Sequence, residues 1–316
     1  MDRIAMIRDR AHLLKDLRRW FDDRGYLEVQ PPCLSKHAIV DPYIDPIEVG
    51  LRLHGDQEQV LRTGYLQTSP ELYMKQLLSL GAPSLYGIVP AFREDEVGDL
   101  HRVEFTMLEW YQVNESEADG IAVLGDLACC ILEYDSYEVL QYRKVFQDFL
   151  EIDPIQSGLS ELVHLAEKCD PSLAHSMQND RDGLLDLLLS EFIQPRLGQD
   201  KPVILRNYPL SQAALAAVSK DDPQCAARFE LFVKGIEIAN GYDELRDEQI
   251  LQTRLTEVAR KRQELGRRTI NAMPQSLVEA MSCRLPQCTG VALGVDRLHL
   301  LRSSADSLDE VTPYPS

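Results

Sequence analysis

The first apolar residues of the chain recur at every third or fourth position, a spacing that predicts an amphipathic helix over residues 4–24. The positions on this apolar face are Ile7, Ala11, Leu14, Leu17 and Phe21. Gly25 follows as a stop signal, and a short strand is expected over residues 26–29. Pro31 and Pro32 then keep the chain extended, because proline fixes φ and restricts the residue before it.

Two long apolar runs predict a pair of strands joined by a polar loop. The runs cover residues 85–93 and 103–113, and the loop 94–102 between them is almost wholly polar. Strand alternation places Glu109 on the same face as Tyr111. An acid on that face needs a cationic partner if it is buried.

The residues that precede these strands predict the start of a helix. Ser69 can cap the helix, Pro70 suits its first position, and Gly81 closes it. The spacing therefore predicts a helix that begins near residue 70 and ends near residue 81.

The second half of the chain mixes helical and strand patterns. Residues 117–200 are mainly helical, and residues 228–240 predict a hairpin around a Lys-Gly pair at 234–235. The segment GVALGVDRLHLLRS at 290–303 predicts a strand that turns into a helix. Because strands come in antiparallel groups with helices attached, we expect an α+β fold.

Composition fits an ordinary globular protein and excludes several functions. Of 316 residues, 44% are apolar and 27% are charged. The formal net charge of −18 argues against a surface built to hold nucleic-acid phosphates. The 7 cysteines show no CxxC spacing, so buried thiols in a reducing compartment are expected rather than a zinc site. No signal peptide or membrane-spanning run is evident, so we expect a cytoplasmic protein with no membrane partner.

Arginines beside a polar loop are the first candidate for chemistry. Arg93 ends one predicted strand next to the acidic run 94–96, and His101 and Arg102 end the loop. An arginine at a strand end can bind a phosphate with two parallel hydrogen bonds. The alternative is a solvated turn, which the loop by itself favours.

A pair of carboxylates in the predicted hairpin is the second candidate. If residues 232–235 form the turn, Glu230 and Glu237 face each other across two strands. Like charges in that position destabilise a fold unless a cation lies between them, and Mg²⁺ bound to phosphates fits that role. The alternative is that the two acids are offset and solvated.

The last candidates are a glycine-containing strand and scattered acids. Gly290 and Gly294 let a flat ligand approach the backbone, and Arg297 would lie at a helix N-terminus that favours phosphate. Glu71 and Glu244 are each explained equally well as a surface acid or a helix-capping residue.

Three segments, taken in order, resemble the three signature motifs of class II aminoacyl-tRNA synthetases. Motif 1 comprises the helix through Arg24-Gly25, the strand over residues 26–29 and Pro32. Motif 2 runs from Phe92 to Phe105, and motif 3 from Gly290 to Arg297. The text between them, TSPELYMKQLL, EFTMLEWY and RFELFVKGIEIANGYDEL, is similar to lysyl-tRNA synthetase. The resemblance implies a class II catalytic domain with an antiparallel β-sheet flanked by helices, spanning residues 1–316 with a helical insertion at about 141–200. It also implies a homodimer.

Within that family the chain resembles the truncated lysyl-tRNA synthetase paralogues that act on a protein. Motif 1 begins almost at the first residue, so we expect the anticodon-binding domain to be missing and do not expect tRNA as a partner. The paralogues activate (R)-β-lysine with ATP and attach it to a lysine side chain of elongation factor P. Ala292 agrees with them, because lysyl-tRNA synthetases have glycine at that position.

The resemblance implies ATP and Mg²⁺ as cofactors and assigns residues to them. Arg93 would bind the α-phosphate and the substrate carboxylate, and Arg297 the γ-phosphate, as the catalytic arginines. Phe105 and Arg297 would sandwich the adenine, and Glu230 and Glu237 would hold Mg²⁺. Further ATP-binding positions are Glu94, Asp95, His101, Arg102, Ile238 and Gly294.

Motif 2 departs from the family pattern at two positions. The usual Arg-x-Glu reads Arg93-Glu94-Asp95, so Asp95 is one methylene short for the adenine contact, and Glu94 or Glu96 would substitute. Arg102 stands where the family has asparagine, and it either adds a phosphate contact or moves the loop.

The resemblance also implies a pocket for a diamino acid. Ser69 and Glu71 would lie at the substrate amine and Asn240 at its carboxylate. Glu244 and Tyr111 would receive the ε-ammonium group, and Glu109 would close the same pocket. The implied substrate-binding residues are Ser69, Pro70, Glu71, Glu109, Tyr111, Asn240, Glu244 and Ala292.

Two other functions compete with a protein-modifying ligase. One is a lysyl-adenylate-forming enzyme that acts on tRNA or on a small molecule. The other is a catalytically inactive regulatory paralogue, and such proteins usually lose the phosphate-binding arginines or the metal acids. Retention of these groups here weighs against it.

Overall fold

The structure is a computed structural model that describes residues 3–39, 41–52, 61–268, 270, 275–281 and 285–312. Its helices are α1 (Arg3–Asp22), α2 (Glu71–Ser79), α3 (Glu117–Leu132), α4 (Tyr142–Leu150), α5 (Leu159–Ala166), α6 (Pro171–Ser176), α7 (Arg181–Leu188), α8 (Glu248–Glu264), α9 (Gln275–Met281), α10 (Val295–Arg302) and α11 (Leu308–Val311). Its strands are β1 (Leu27–Glu28), β2 (Leu34–Ser35), β3 (Glu48–Arg52), β4 (Leu61–Leu66), β5 (Leu85–Phe92), β6 (Glu104–Val113), β7 (Glu138–Gln141), β8 (Val203–Pro209), β9 (Cys225–Val233), β10 (Ile236–Asp243) and β11 (Cys288–Gly294).

The chain forms two compact units. The first comprises Met1–Glu115 and Leu245–Ser316, and the second comprises Ser116–Glu244. The helical segment predicted at about 141–200 lies within the second unit, where it includes α4 to α7. None of the helices in the described part of the chain has the length and apolar character needed to cross a membrane.

In the first unit, four strands of the large sheet lie in the order β1-β5-β6-β11. A separate three-stranded sheet, in the order β2-β4-β3, is formed by the segment between β1 and β5 along the chain. The pairs β5–β6 and β6–β11 are antiparallel, whereas β1 pairs with β5 in parallel. In the second unit the order is β10-β9-β8-β7, with β7 and β8 parallel and the other pairs antiparallel. The predicted α+β class is confirmed.

Helix α1 packs its aromatic end against the sheet of the first unit. The ring of Phe21 lies 4.7 Å from that of Tyr86 and 5.3 Å from that of Trp110. Part of the predicted apolar face is wrong, because Ile7 and Ala11 are exposed. The buried positions are Met6, Leu13, Leu17, Trp20 and Phe21. Trp20 and Met6 offer more apolar area than Ile7 and Ala11, which rotates the buried stripe toward them.

The second unit packs its helices on β8 and β9. The ring of Tyr142 on α4 lies 4.6 Å from that of Tyr208 on β8, and both side chains are buried with Phe232. The predicted turn at 234–235 is confirmed, since Lys234 and Gly235 both adopt positive φ, at 50° and 75°. This is the conformation that two-residue hairpin turns require.

Asp296 joins three segments of the first unit. One carboxylate oxygen accepts a hydrogen bond from the backbone N–H of Thr106 at 2.7 Å, and the other pairs with Arg10 at 2.7 Å. Arg10 also donates to the hydroxyl of Thr106 at 2.7 Å. Asp296 is 7% exposed, so these contacts are shielded from water and fix α1, β6 and α10 to one another.

We expect Asp296→Asn to lower the free energy of unfolding by about 3 kcal/mol, because it leaves a largely buried guanidinium without its counter-charge. Asp309→Asn is the matched control, since Asp309 pairs with Arg102 but its side chain is 59% exposed. Exposed pairs contribute at most about 1 kcal/mol. Urea denaturation of both variants measures the difference, and equal losses would contradict the role given to Asp296.

Candidate functional site

The register of three strands sets out the candidate residues of the first unit. Glu109 on β6 lies opposite Gly87 on β5 and opposite Ala292 on β11. Residues paired in this way point to the same face. The strands therefore place the motif 3 alanine beside the carboxylate that sequence reasoning singled out.

Glu109 is buried, and each of its two carboxylate oxygens accepts a hydrogen bond. The hydroxyl of Ser69 donates to Oε2 at 2.6 Å, and the hydroxyl of Tyr111 donates to Oε1 at 2.7 Å. Burial and the nearby Glu71 raise the pKa of Glu109 to about 7, against the opposing effects of these hydrogen bonds and of Lys75. Near neutral pH this carboxyl group is therefore present in both its protonated and its ionised form, and a cation close to it favours the ionised form.

The start of α2 reaches the same carboxylate through Ser69. The backbone N–H of Glu71 donates to Ser69 Oγ at 3.0 Å. The N-cap position of α2 is Pro70, so the predicted cap at Ser69 and the predicted first helical position at Pro70 are each one residue too early. Pro70 lies just before the first helical residue, and the N–H groups of Tyr73 and Met74 donate to its carbonyl at 3.1 Å. The four predicted residues Ser69, Glu71, Glu109 and Tyr111 thus form one connected group.

Arg93 lies at the mouth of the motif 2 loop. Its guanidinium lies 5.1 Å from the centre of the Phe105 ring and donates to Glu96 at 3.1 Å. Its backbone N–H donates to the Val103 carbonyl, which closes the hairpin at 2.9 Å. Its buried Nε has no hydrogen-bond partner among the described residues, so the side chain retains capacity to bind another acceptor.

Arg297 is held by the motif 2 loop. It donates from Nε to the Leu100 carbonyl at 3.2 Å, and its other end lies 2.7 Å from Nε2 of His101. Partial burial and the charge of Arg297 lower the pKa of His101, which keeps the imidazole neutral at pH 7 so that it can accept this hydrogen bond. The predicted position of Arg297 at the start of a helix is confirmed, because α10 begins at Val295. A Cβ added to Gly294 would lie 3.9 Å from the aliphatic carbons of Arg297, which is an ordinary van der Waals distance. The protein's own packing therefore leaves room for a Cβ at this position.

The remaining motif 2 residues lie in ion pairs or face solvent. Glu94 accepts a hydrogen bond from Arg268 at 2.8 Å, and Asp95 is exposed in a turn with φ at 60°. Arg102 donates to Asp309 at 2.5 Å and to the Gly98 carbonyl at 2.5 Å. Arg102 is expected either to add a phosphate contact or to move the loop, and these contacts match the second role.

The predicted alignment of Glu230 with Glu237 is wrong. The strands of the hairpin pair Glu230 with Asn240 and Glu237 with Phe232, and a β-bulge follows Glu237. The turn closes with residues 234 and 235 alone, whereas the prediction assumes a turn over 232–235, so Glu237 pairs with Phe232, and the bulge at Ile238 then moves the partner of Glu230 to Asn240. The carboxylates therefore lie two rows apart in the hairpin.

Glu230 is buried against two residues that sequence reasoning missed. Arg228 donates to Oε1 at 2.5 Å, and the Tyr208 hydroxyl donates to Oε2. Arg228 also lies 4.7 Å from the Tyr208 ring centre. Residues 228 and 230 share a face by strand alternation, which is the signal that could have found this pair.

Other predicted residues of the second unit lie on or just after β10. Asn240 is half-buried, and within the described part of the chain its Oδ1 has no hydrogen-bond partner, whereas Ile238 is 2% exposed. Glu244 is 2% exposed, and its backbone bridges to Ala216. An unpartnered amide oxygen can accept a hydrogen bond from a ligand donor.

Glu230 and Glu237, the two acids of the β9–β10 hairpin, suit a cation whose other ligands come from substrate phosphates. Among the described residues no three His, Cys, Asp or Glu side chains gather into a metal site. Mg²⁺ commonly binds one or two carboxylates together with substrate phosphates. The two contacts of Glu230 use half of the roughly four lone-pair positions of a carboxylate, so Glu230 and Glu237 fit such an ion.

Comparisons with known proteins identify the family. Residues 2–316 match the model for tRNA synthetases class II (D, K and N). The chain is 39% identical over 305 residues to proteins named elongation factor P–(R)-beta-lysine ligase from Salmonella paratyphi B, Salmonella schwarzengrund and Salmonella gallinarum. These alignments cover 96% of this chain and 93% of each relative. The chain therefore belongs to the class II tRNA synthetase family, together with the elongation factor P–(R)-beta-lysine ligases.

Proposed function

We propose that this protein is an ATP-dependent ligase that joins (R)-β-lysine to a lysine side chain of elongation factor P. The names of its relatives support the substrates, and the family supports activation by ATP. The observation that carries the proposal is the buried Glu109, hydrogen-bonded to Ser69 and Tyr111 and opposite Ala292. A buried carboxylate of this kind suits an ammonium group that leaves water.

The first step of the proposed reaction makes an adenylate. A carboxylate oxygen of (R)-β-lysine attacks the α-phosphorus of ATP, and the bond to the β-phosphate breaks to release pyrophosphate. Arg93 and Arg297 would bind the negative oxygens that carry charge in this step. Arg93 pairs with the partly exposed Glu96, a contact that a phosphate can replace.

The second step transfers the acyl group. The neutral amine of the target lysine attacks the acyl carbon, the bond to AMP breaks, and the amine loses a proton. The reaction needs no covalent enzyme intermediate. Much of the rate enhancement would therefore come from holding the adenylate and the target amine in a fixed orientation.

We propose Mg²⁺ as the ion that accompanies ATP, with Glu230 and Glu237 as its protein ligands. When bound, the ion would neutralise phosphate charge. A homodimer stays a prediction from the family resemblance.

The decisive experiment is an incubation of the protein with ATP, (R)-β-lysine, α-lysine and purified elongation factor P. We expect mass spectrometry to show elongation factor P gaining one β-lysyl group, with AMP as the second product. Mass gained by tRNA, or free adenylate with no acceptor, would favour the alternative of a lysyl-adenylate-forming enzyme. No pyrophosphate release with either amino acid would favour an inactive paralogue.

We expect Ala292→Gly to shift the ratio of kcat/KM values toward α-lysine by about tenfold, since one methyl group in a pocket discriminates by that order. Pyrophosphate exchange with each amino acid measures the ratio. Ala226→Gly is the control, because Ala226 is likewise a strand alanine but lies fully buried in a separate alanine cluster of the second unit. An unchanged ratio in Ala292→Gly would remove this residue from the choice of substrate.

We expect Glu237→Gln to slow pyrophosphate exchange at least about 100-fold, because it removes a charge that would hold the phosphate-bound cation. Glu138→Gln is the control, since Glu138 is an exposed acid on β7 that pairs with Lys201 at 3.6 Å. Normal exchange by Glu237→Gln would end the proposed metal role.

A further inference from the structure

A fully buried lysine lies one helical turn beyond Glu71. Lys75 on α2 is 0% exposed, and its ammonium group donates to Glu71 Oε1 at 2.5 Å. Lysine is almost never buried to this degree without a charged partner, since an ammonium group costs several kcal/mol to remove from water. The sequence signal was an i,i+4 Glu–Lys pair, which usually marks a solvated helix face.

Two carboxylates share the charge of this one ammonium group. Glu71 contacts it directly, and Glu109 is linked to Glu71 through Ser69, which accepts from the Glu71 N–H and donates to Glu109. Glu71 raises the pKa of Glu109 and Lys75 lowers it. Repulsion between neighbouring carboxylates favours the protonated form of a buried one unless a cation balances the charge.

Among the described residues that contact Glu109 or lie opposite it in the sheet, none supplies that cation. Tyr111 on its own strand is a hydroxyl donor, and the residues opposite on β5 and β11 are Gly87 and Ala292. The charged side chains that act on Glu109 within this group are therefore Glu71 and Lys75, both from α2.

We propose that Lys75 is a positioning residue that balances the charges of Glu71 and Glu109, so that Glu109 keeps the negative charge that receives a substrate ammonium group. The inference rests on the proposed function, because it assigns the ammonium group to a diamino acid. Lys75 itself would not contact the substrate. It would act by orienting Glu71 and by setting the pH range in which Glu109 is charged.

The sign of the pH effect follows from this arrangement. Glu109 binds an ammonium group only when it is ionised, so KM for the amino acid rises as pH falls through its pKa of about 7. Removing the charge of Lys75 favours the protonated acid, which moves this rise to higher pH. A displacement of one pH unit would increase KM about fivefold at pH 7 and leave it nearly unchanged at about pH 8.5.

The test is pyrophosphate exchange by Lys75→Met between about pH 6 and 8.5, with KM measured separately for (R)-β-lysine and ATP. Methionine keeps the length of the side chain without the charge. We expect the KM for β-lysine to follow the displaced profile and the KM for ATP to match the unchanged protein. Lys144→Met is the matched control, because Lys144 forms an i,i+4 pair with Asp148 on α4 but its side chain is 62% exposed.

A second pair of variants separates charge balance from simple damage to the fold. In Glu109→Gln the titrating group is gone, so adding Lys75→Met should leave the pH profile of KM unchanged. A KM raised equally at every pH, or a Lys75→Met profile that overlays the original, would overturn the proposal. Absence of exchange in the unaltered protein with either lysine isomer would instead contradict the proposed function.

Discussion

The register of β6 between β5 and β11 is the constraint on which the candidate residues of the first unit depend. A slip of one residue would turn Glu109 and Tyr111 to the other face of the sheet and away from Ser69. Gly87 helps to hold this register, because a Cβ there would lie 2.9 Å from the carbonyl of Val29, where β1 pairs with β5. Asp296 adds a hydrogen bond to the backbone of β6 at Thr106. Side chains thus enforce the alignment that brings motif 2 and motif 3 together.

An acidic chain with a net charge of −18 keeps its loop arginines in place with its own carboxylates. Arg93 pairs with Glu96, Arg102 with Asp309, and Arg268 with Glu94. Each of these pairs has a partner that is more than a quarter exposed, so each contributes little to folding. Pairs of this strength orient a guanidinium while leaving it able to exchange a carboxylate for a phosphate.

Buried charges follow the opposite rule and come with several partners each. Glu230 has Arg228 and Tyr208, and Glu109 has two hydroxyl donors and a lysine nearby. In both strands the buried acid stands between large apolar residues, Leu108 and Trp110 around Glu109 and Phe229 and Leu231 around Glu230. That pattern places each acid on the opposite face from its neighbours, and it does not reveal whether that face is wet or enclosed.

The sequence by itself determined the class of fold, the main elements and the two-residue hairpin turn, because apolar periodicity and turn chemistry act over short distances along the chain. It also selected Ser69, Glu109 and Tyr111 as neighbours, since alternation and family motifs agreed on them. Tertiary structure alone decided which face of α1 is buried, the bulge in β10 together with the register that separates Glu230 from Glu237, and the burial of Lys75. Each of these depends on the fit of segments distant in sequence, where packing area and the removal of charge from water outweigh local preference.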